Sequence, residues 1–391
     1  MLIEFHLLQN HAPSNLNRDD TGSPKDCFFG GVKRARISSQ CLKRSIRRSP
    51  IFQEAMQGHL ATRTRRLPEL VRDRLLKKGL SQDLAEAAAQ KATGFGNKEG
   101  TEQAKLETAQ TMFLTDSDIA AITDCLYTAA GKAGSAEAIK KLKAADLQKE
   151  AEQKGFRPTS VDVALFGRMT TSVALRDVEG CTQVAHALST HRLDREYDYF
   201  TAVDDLMRTT EEVEEDAGAD MIGDVEFNSA CYYKYLSVDV GGLVDNLTGA
   251  SIGRTGITDD ETSAARDLAG RAIEAMLQAA ILTTPTGKQN SFAAHQLPAL
   301  VLVEARPHAT PVSYANAFVE PARAGKGEDL IGNSLRKLGG HVEALTAGFN
   351  LEANPRLLLA PEQSDFAIDG VERIKDLKTL SERIREVVLH G

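Results

Sequence analysis

Residues 32–49 read VKRARISSQCLKRSIRRS, a basic β-like segment followed by a predicted helix. Serines at the start of this helix are good N-caps and Pro50 ends it, so its expected span is 38–48. At about 100° per residue, Leu42 and Ile46 lie together on one side. We therefore expect that side of the helix to pack against the rest of the protein.

The opposite side of the helix is cationic. From Cys27 to Gln53 the sequence has no Asp or Glu, although it contains several basic residues. Those basic residues are Lys33, Arg34, Arg36, Lys43, Arg44, Arg47 and Arg48. A solvated helix surface normally mixes both signs of charge, so this segment predicts an anionic partner.

The polar face of the helix and the loop before it supply the candidate contacts to that anion. The helical wheel places Gln40, Lys43, Arg44 and Arg47 on one face. The preceding loop adds Arg18 and Lys25. Glycines at 30 and 31 would let the backbone approach a phosphate closely. Residues 194–226 are the opposite extreme, because this acidic segment includes EEVEEDAGAD at 211–220.

The rest of the chain alternates predicted strands and helices. Residues 2–9 (LIEFHLLQ) are apolar enough for a buried strand, and 60–165 is Ala-rich and predicted to be a helical insertion. The later predicted elements are β-like runs at 159–169 and 230–240, a helix at 260–282 and a central strand within LPALVLVEA at 297–305. Strands near both ends with helices between them predict an α+β protein.

Composition excludes several classes of protein. The chain has 391 residues, of which 42% are hydrophobic and 26% charged, with a formal net charge of -8, which is typical of a globular protein. Without a signal-peptide pattern or a long apolar run, we expect a cytoplasmic protein with no membrane partner. Five widely spaced cysteines with no C-x-x-C pair argue against a zinc site or a disulfide framework. No cofactor or metal is expected.

Enzyme motifs are incomplete. The segment TPTGKQN at 284–290 has a Gly-Lys pair, but it lacks the upstream Gly and the following Ser or Thr of a P-loop. His186 and His191 have no Cys or carboxylate at ligand spacing, so structural or surface roles are expected for them.

Three aspartates in the first loop leave two interpretations open. They could hold a divalent ion or act as a base, and they could equally form the hydrogen bonds of turns. The three residues are Asp19, Asp20 and Asp26.

Residues 12–49, APSNLNRDDTGSPKDCFFGGVKRARISSQCLKRSIRRS, resemble the N-terminal signature of the CasC family, the repeated backbone subunit of the type I-E CRISPR Cascade complex. Later segments agree in order. These are GRMTTS at 167–172, AHALSTH at 185–191, DYFTAVDDL at 198–206, GASIGR at 249–254 and SYANAF at 313–318. The resemblance spans most of the chain and is weakest in the helical insertion and after about residue 320.

The resemblance implies a hand-shaped subunit. Its palm would be α+β and similar to an RNA-recognition motif (ferredoxin-like), with a helical fingers domain inserted after the first helix and a β-hairpin thumb. The implied boundaries are palm at 1–58, 183–195 and 227–391, helical fingers at 59–182 and thumb at 196–226.

The resemblance also assigns site residues by position. Guide-RNA contacts fall on Arg18, Lys25, Ser38, Gln40, Lys43, Arg44 and Arg47. Thumb positions that kink the guide fall on Phe200, Thr201 and Val203, and Met169 matches a methionine that packs against bases. Without the resemblance, Met169 and Phe200 would be interpreted as core residues. A lysine cluster that touches target duplex DNA corresponds to Lys140, Lys141 and Lys143, for which a solvated charged helix is the alternative.

The function implied is that of a non-catalytic subunit that polymerises along a guide crRNA and presents it to target DNA. Its other partners would be further copies of itself in a helical filament and the remaining Cascade subunits, namely the large, small and guide-end-capping subunits. The sequence lacks the aromatic signature with which recognition-motif sheets stack bases, so contact through phosphates is expected.

Two alternatives belong to other classes of function. Backbone subunits of the related type III complexes cleave RNA with an aspartate in the corresponding first loop, which makes a metal-dependent endoribonuclease the main rival. A filament protein that assembles without RNA is the second rival, but it leaves the acid-free helix without a purpose.

Overall fold

A computed structural model of the chain describes residues 1–153, 157–202, 221–325, 327–362 and 366–391. Its strands are β1 (Leu2–Ser14), β2 (Asp26–Phe29), β3 (Val32–Ile37), β4 (Thr62–Thr64), β5 (Met112–Leu114), β6 (Thr182–Val184), β7 (Ala187–Ser189), β8 (Glu196–Ala202), β9 (Met221–Asp239), β10 (Leu300–Arg306), β11 (Arg356–Leu359) and β12 (Glu372–Arg373).

The α-helices are α1 (Ser39–Arg48), α2 (Pro50–Ala55), α3 (Leu67–Lys77), α4 (Gln82–Ala92), α5 (Asp116–Ala133), α6 (Ala136–Lys141), α7 (Ala144–Glu152), α8 (Val161–Phe166), α9 (Val240–Thr248), α10 (Asp259–Leu282), α11 (Gln289–Phe292), α12 (Leu330–Phe349) and α13 (Leu377–His390). Short 3-10 helices cover Thr93–Gly96, Ala250–Ile252 and Ala315–Phe318. The predicted α+β class is confirmed.

The described residues divide into two compact units. The first, called here the sheet unit, contains Met1–Phe52, Val184–Ser237 and Glu274–Val387. The second, called the helical unit, contains Gln53–Gln183, Val238–Ile273 and Val388–Gly391. Each unit is therefore built from segments that are far apart in the sequence.

A large sheet with the order β12-β11-β10-β1-β9-β7-β3-β2 organises the sheet unit. Strand β1 pairs antiparallel with β10, with Leu2 opposite Arg306 and Leu8 opposite Leu300. Both faces of β1 are covered, so odd and even positions from Leu2 to Gln9 are buried alike, including the polar Glu4 and His6. The central strand predicted within 297–305 is confirmed as β10, because it lies between β1 and β11.

A charged network is buried within this sheet. Glu304 accepts hydrogen bonds from Arg356 Nε at 2.5 Å, from Arg306 Nη2 at 2.7 Å and from the Tyr314 hydroxyl at 2.8 Å. Arg306 also pairs with Glu4 on β1. Two carboxylates therefore face two guanidinium groups, and the charges within the network balance.

The core of the helical unit combines large apolar side chains with several buried alanines. Helix α4 buries Ala85, Ala88 and Ala92, which lets α3 and α6 approach it closely. Helix α5 begins with a capping box in which the Thr115 hydroxyl accepts from the Asp118 backbone and the Asp118 carboxylate accepts from the Thr115 backbone. The helical character predicted for 60–165 is thus confirmed, with the short β4–β5 pair as an added element.

The prediction of a β-like run at 159–169 is wrong, because Val161–Phe166 forms α8. Val161, Val163, Ala164 and Leu165 are buried, and a short apolar run of that kind does not distinguish a strand from a helix. All five cysteines are free thiols. Among the described residues, no helix is long and apolar enough to cross a membrane.

Candidate nucleic-acid interface

Helix α1 forms as its sequence predicts. The Ser38 hydroxyl accepts a hydrogen bond from the Cys41 backbone at 3.3 Å and caps the first turn. Leu42 and Ile46 are buried and hold one side of the helix to the sheet unit. The helix ends at Arg48, before Pro50, and its first turn contains no acidic residue. Its outer side therefore carries cations without a carboxylate of its own.

The first loop is fixed to the start of α1. Asn17 Oδ1 accepts from the Ser38 backbone at 2.8 Å, and the Asn17 carbonyl accepts from the Lys25 backbone at 2.8 Å. Burial raises the pKa of the Cys41 thiol, while the charges of Lys25 and Arg44 act on it in the opposite direction. Lys25 and Arg44 therefore both lie close enough to Cys41 for their charges to act on its thiol.

The candidate residues of α1 fall into two rows with different surroundings. Gln40, Arg44 and Arg48 follow one another at intervals of four residues and are exposed. Lys43 and Arg47 are half-buried and interact with other residues of the chain. Burial lowers the pKa of Lys43. Among the described residues, neither Arg44 nor Arg48 forms an ion pair, so the exposed row has its charge available for a ligand.

A groove of about 550 Å³ lies beside the exposed row. Arg44, Ser45 and Arg48 form its α1 wall, and residues 282–287 with His295 form the facing wall. Gly287 comes so close to the backbone of Leu16 that a Cβ atom would lie 2.4 Å from its carbonyl oxygen. The TPTG segment, which fails as a P-loop, thus serves as one wall of a basic groove.

Arg48 and the facing wall are functional candidates that the sequence-based site set omits. The spacing of four residues from Arg44 would have identified Arg48, because positions i and i+4 share a helix face. No local pattern identifies residues 282–287 as a neighbour of α1. Arg18 of the set is exposed in the first loop.

Arg34 is not available to an anion, although the acid-free segment includes it. Its side chain is fully buried and donates to the carbonyls of Thr190 at 2.9 Å and Phe318 at 2.7 Å, among others. Burial lowers the pKa of this guanidinium. Arg34 therefore joins separate segments of the sheet unit and does not form part of the interface.

Two of the first-loop aspartates are exposed. Asp19 Oδ1 accepts from the backbone of Thr21 at 3.0 Å, from its hydroxyl at 2.7 Å and from the backbone of Ser23 at 3.0 Å. Hydrogen bonding from Thr21 lowers the pKa of Asp19. These are the bonds of a turn, which is one of the two roles predicted. Asp20 beside it is exposed.

The third aspartate is held by ion pairs. Asp26 lies 3.2 Å from Lys33 Nζ and also pairs with Arg195. The histidines of the sequence analysis have local partners too: His191 Nδ1 lies 2.8 Å from the Arg192 carbonyl, and His186 contacts Arg36. The three aspartates do not form a cluster with the geometry of a metal site within the described part of the chain.

One group in the described residues does have carboxylate and imidazole atoms within 4.8 Å of one another, namely Glu4, His6 and Glu304. Its oxygens are already engaged by Arg306 and Arg356, and His6 Nδ1 lies 2.8 Å from the Tyr233 hydroxyl. Burial raises the pKa of Glu304, but His6 and the arginines outweigh that effect and bring it to about 2. The group is a buried ion-pair network whose carboxylate oxygens already have arginine and tyrosine partners, and His6 Nε2 lies 3.4 Å from Glu304 Oε2.

The predicted DNA-binding lysines lie in the helical unit. Lys140 and Lys141 end α6, and Lys143 precedes α7. All three side chains are exposed, and none forms an ion pair with a described residue. Cations at the end of a helix also stabilise its dipole, so a structural benefit coexists with availability to DNA.

The interpretation of Met169 and Phe200 as core residues is wrong. The Met169 residue is 95% exposed and Phe200 is 40% exposed. Phe200 and Thr201 lie on β8, which pairs antiparallel with the first half of β9 to form a hairpin. Val203 and the acidic residues 211–220 lie outside the described residues. Exposed apolar side chains at these positions are free to contact a partner.

Comparison with known proteins adds an independent result. A solved structure described as "CRISPR RNA-guided surveillance complex, pre-nicking" contains a chain that is 28% identical and superposes with a TM-score of 0.77, covering 99% of this chain and 100% of that one. A chain of another "CRISPR RNA-guided surveillance complex" is 25% identical with a TM-score of 0.68 and covers the same shares. No curated protein matches the chain.

The similarity to chains of CRISPR surveillance complexes extends over the whole length of both partners in each comparison. It confirms the resemblance to subunits of such complexes. A family model described as CT1975-like protein matches residues 3–386. Since that match includes nearly every residue, the chain belongs to the CT1975-like protein family.

Proposed function

We propose that this chain is a non-catalytic backbone subunit of a type I-E CRISPR Cascade complex, of the CasC kind, and that it polymerises along a guide crRNA in the cytoplasm. The observation that carries the proposal is the exposed row on α1, where Arg44 and Arg48 line a groove whose described lining residues include no carboxylate. The similarity to chains of RNA-guided surveillance complexes supports RNA as the anion.

Contact through phosphates suits a subunit whose guide must vary in sequence. Lys and Arg side chains neutralise phosphates and carry little sequence information, whereas base pairing reads the target. The contact set of the proposal is Arg18, Lys25, Ser38, Gln40, Lys43, Arg44 and Arg47, with Arg48 added by the structure. In this proposal the sheet unit would supply most of the palm and the helical unit most of the fingers, with 238–273 of the predicted palm belonging to the helical unit.

The β8–β9 hairpin is the thumb of this proposal. Phe200 and Thr201, with Val203 beyond the described residues, would insert at a base step, and Met169 would regain packing for the displaced base. Because each copy inserts one thumb, distortions of the guide should recur at a fixed spacing. Target-mismatch profiling should show periodic tolerance that disappears in Phe200→Ser. Uniform sensitivity to mismatches along the guide, in the wild type and in Phe200→Ser alike, would contradict this role of the hairpin.

The remaining partners of the proposal are target DNA, neighbouring copies in a helical filament, and the other Cascade subunits. Lys140, Lys141 and Lys143 would contact the DNA.

The absence of catalysis is also part of the proposal. The turn bonds of Asp19 and the ion pairs of Asp26 support it, since those carboxylates are already engaged. Purified protein with magnesium should leave RNA and DNA intact over hours. Cutting that disappears in Asp20→Ala would identify an endoribonuclease.

The main experiment reverses the charge of α1. The triple variant Lys43→Glu, Arg44→Glu and Arg47→Glu should lose RNA loading, measured by copurified RNA and by filter binding. Since Lys43 and Arg47 are half-buried, the double variant Arg44→Glu with Arg48→Glu provides a version whose changes are confined to exposed residues.

A matched control reverses three exposed cations elsewhere in the sheet unit. These are Arg336, Lys375 and Lys378, whose side chains are at least 66% exposed. The control should load RNA like the wild type, which separates a local effect from one of net charge. RNA loading by folded Arg44→Glu, Arg48→Glu protein at wild-type affinity would contradict the proposal.

A further inference from the structure

A small cavity in the helical unit brings three arginines together. Its lining includes Arg157, Arg168 and Arg176, with Asp118 at the start of α5, and its volume is about 20 Å³. Ile252 also lines it, so two of the segments that carry the family resemblance, GRMTTS and GASIGR, meet at this point. None of these arginines belongs to the contact set of the proposed function.

The charges around this cavity do not balance. Arg168 Nη1 donates to Asp118 Oδ2 at 2.6 Å, and Arg157 Nη1 lies 3.5 Å from Asp118 Oδ1. Asp118 Oδ2 also accepts from the Thr115 backbone, so this carboxylate has little capacity left. Arg176 is exposed and forms no ion pair with a described residue. The described lining of the cavity therefore has three guanidinium groups and one carboxylate, with Glu152 acting on Arg157 from outside the lining.

Arg157 supplies the second observation. Its side chain is only 10% exposed, and its Nη1 atom is buried without a hydrogen-bond acceptor among the described residues. The neighbouring Nη2 donates to the Ala174 carbonyl at 2.7 Å, which fixes the orientation of the guanidinium. A buried charged donor without an acceptor is costly. The cavity has room for about one water-sized group, so one oxygen atom of a ligand could fill it.

We infer that this cavity is a phosphate site, and that it takes a non-bridging oxygen of a phosphodiester in a nucleic-acid strand. Guanidinium forks match the geometry of phosphate oxygens, and an anion would reduce the excess positive charge that a water molecule leaves unchanged. The cavity is too small for a base, so recognition is independent of sequence. The choice of a nucleic acid as the source of the phosphate rests on the proposed function, whereas the phosphate site itself does not.

The first test uses inorganic phosphate and the full chain. Phosphate should raise the melting temperature of the wild type relative to chloride at equal ionic strength, because it binds only the folded state. The increase should be much smaller in Arg176→Gln, an exposed change that leaves the core intact, and in Arg157→Lys, which keeps the charge but loses the fork. Arg66→Gln is the matched control, since it removes an exposed arginine of the same unit and should retain the full increase. Equal melting temperatures of the wild type in phosphate and chloride would overturn the site.

The second test identifies the source of the phosphate. Affinity for single-stranded RNA and DNA and for duplex DNA is measured against salt concentration. For at least one of these strands, Arg176→Gln should lower the slope of log affinity against log salt by about 0.7 to 0.9, the value for one neutralised phosphate, irrespective of sequence. Unchanged slopes for all three, despite a phosphate-dependent melting temperature, would identify an adventitious ion only and overturn the strand assignment.

The two proposals fail differently. Arg44→Glu with Arg48→Glu tests the α1 groove and should leave the effect of phosphate on the melting temperature unchanged. Loss of RNA binding in that variant together with an unaltered phosphate response supports both proposals. RNA binding that resists the α1 changes contradicts the proposed function alone, whereas stabilisation by an acidic peptide but not by phosphate contradicts the phosphate site alone.

Discussion

The buried network of the sheet unit and the arginine cavity of the helical unit both combine arginines with carboxylates, but they differ in the balance of charge. In the sheet unit, Glu4 and Glu304 face Arg306 and Arg356, and each charge has a partner of opposite sign. In the helical unit, Arg157 and Arg168 both pair with Asp118, and Arg176 lines the same cavity without an ion pair to a described residue. A balanced group of buried charges holds strands together, whereas an unbalanced group has spare donors for a ligand.

Helix α1 carries a third group of charged side chains, which is more exposed than the other two. Arg44 and Arg48 are exposed beside the groove and keep their hydration until a ligand arrives. Screening by salt weakens such exposed charges far more than buried ones. The three regions therefore predict a graded series, in which loss of charge costs most stability in the sheet unit and least on α1.

The largest effect is expected for Glu304→Gln. This change leaves Arg306 and Arg356 buried with an incomplete set of partners, and breaking a buried pair in this way costs about 3–5 kcal/mol. Urea unfolding measures the loss of stability, and hydrogen exchange of β10 localises it. Glu320→Gln is the control, because its exposed carboxylate pairs with Lys337 at the surface. A cost below about 1 kcal/mol for Glu304→Gln would make the network dispensable.

Acid should remove the same contribution without a mutation. The pKa of Glu304 is about 2 in the folded chain, below the ordinary value of about 4.3 for an unfolded Glu. A lowered folded-state pKa stabilises the protein above the unfolded pKa, so this contribution is lost as the pH falls from about 5 towards 2. The expected loss is roughly 3 kcal/mol. Urea midpoints measured across this range should fall less steeply in Glu304→Gln than in the wild type.

An intermediate effect is expected for Arg168→Gln in the helical unit. Asp118 keeps Arg157 as a partner, so no carboxylate is left uncompensated. The Phe113 and Arg176 carbonyls lose a donor, which costs about 1–3 kcal/mol. Chemical denaturation should therefore give a smaller loss than for Glu304→Gln. The reverse order would show that the excess of arginine in this unit is structural.

The smallest effect on stability is expected on α1. Arg44→Gln combined with Arg48→Gln should change the free energy of unfolding by no more than about 0.5 kcal/mol, since both side chains are exposed. The same variant should lower the salt slope of RNA binding by about 1.4, because each phosphate that is no longer neutralised accounts for about 0.7. Filter binding across a salt series measures the slope. An unchanged slope would place the RNA on another surface.

Local sequence predicted the elements that depend on neighbouring residues. The span of α1, its cap at Ser38 and the burial of Leu42 and Ile46 follow from helical periodicity and capping, which act within a few residues. The strand of residues 2–9 and the long helix α10 were also predictable, because their patterns too lie within contiguous segments. The run at 159–169 was not, because a short apolar segment suits a buried helix or a buried strand equally.

The exposure of a side chain was predictable where a helix face was enough, but not where tertiary burial decides it. Arg44 is exposed on the predicted face, but Arg34, from the same acid-free segment, is fully buried. Met169 shows the same limit from the other side, since core burial, the alternative to its assignment beside the bases, is contradicted by an exposure of 95%. Composition counts charges and apolar side chains, but only packing decides which of them reach solvent.

The sequence by itself determined the acid-free helix, the α+β class and the resemblance to a family of surveillance-complex subunits, because each is encoded in short contiguous segments. Tertiary structure alone decided that residues 282–287 face α1 and that Arg157, Arg168 and Arg176 surround Asp118. It also grouped 238–273 with 53–183 in one compact unit. Such contacts join positions far apart in the chain, and the free energy that holds them comes from burial and charge pairing, which no local pattern records.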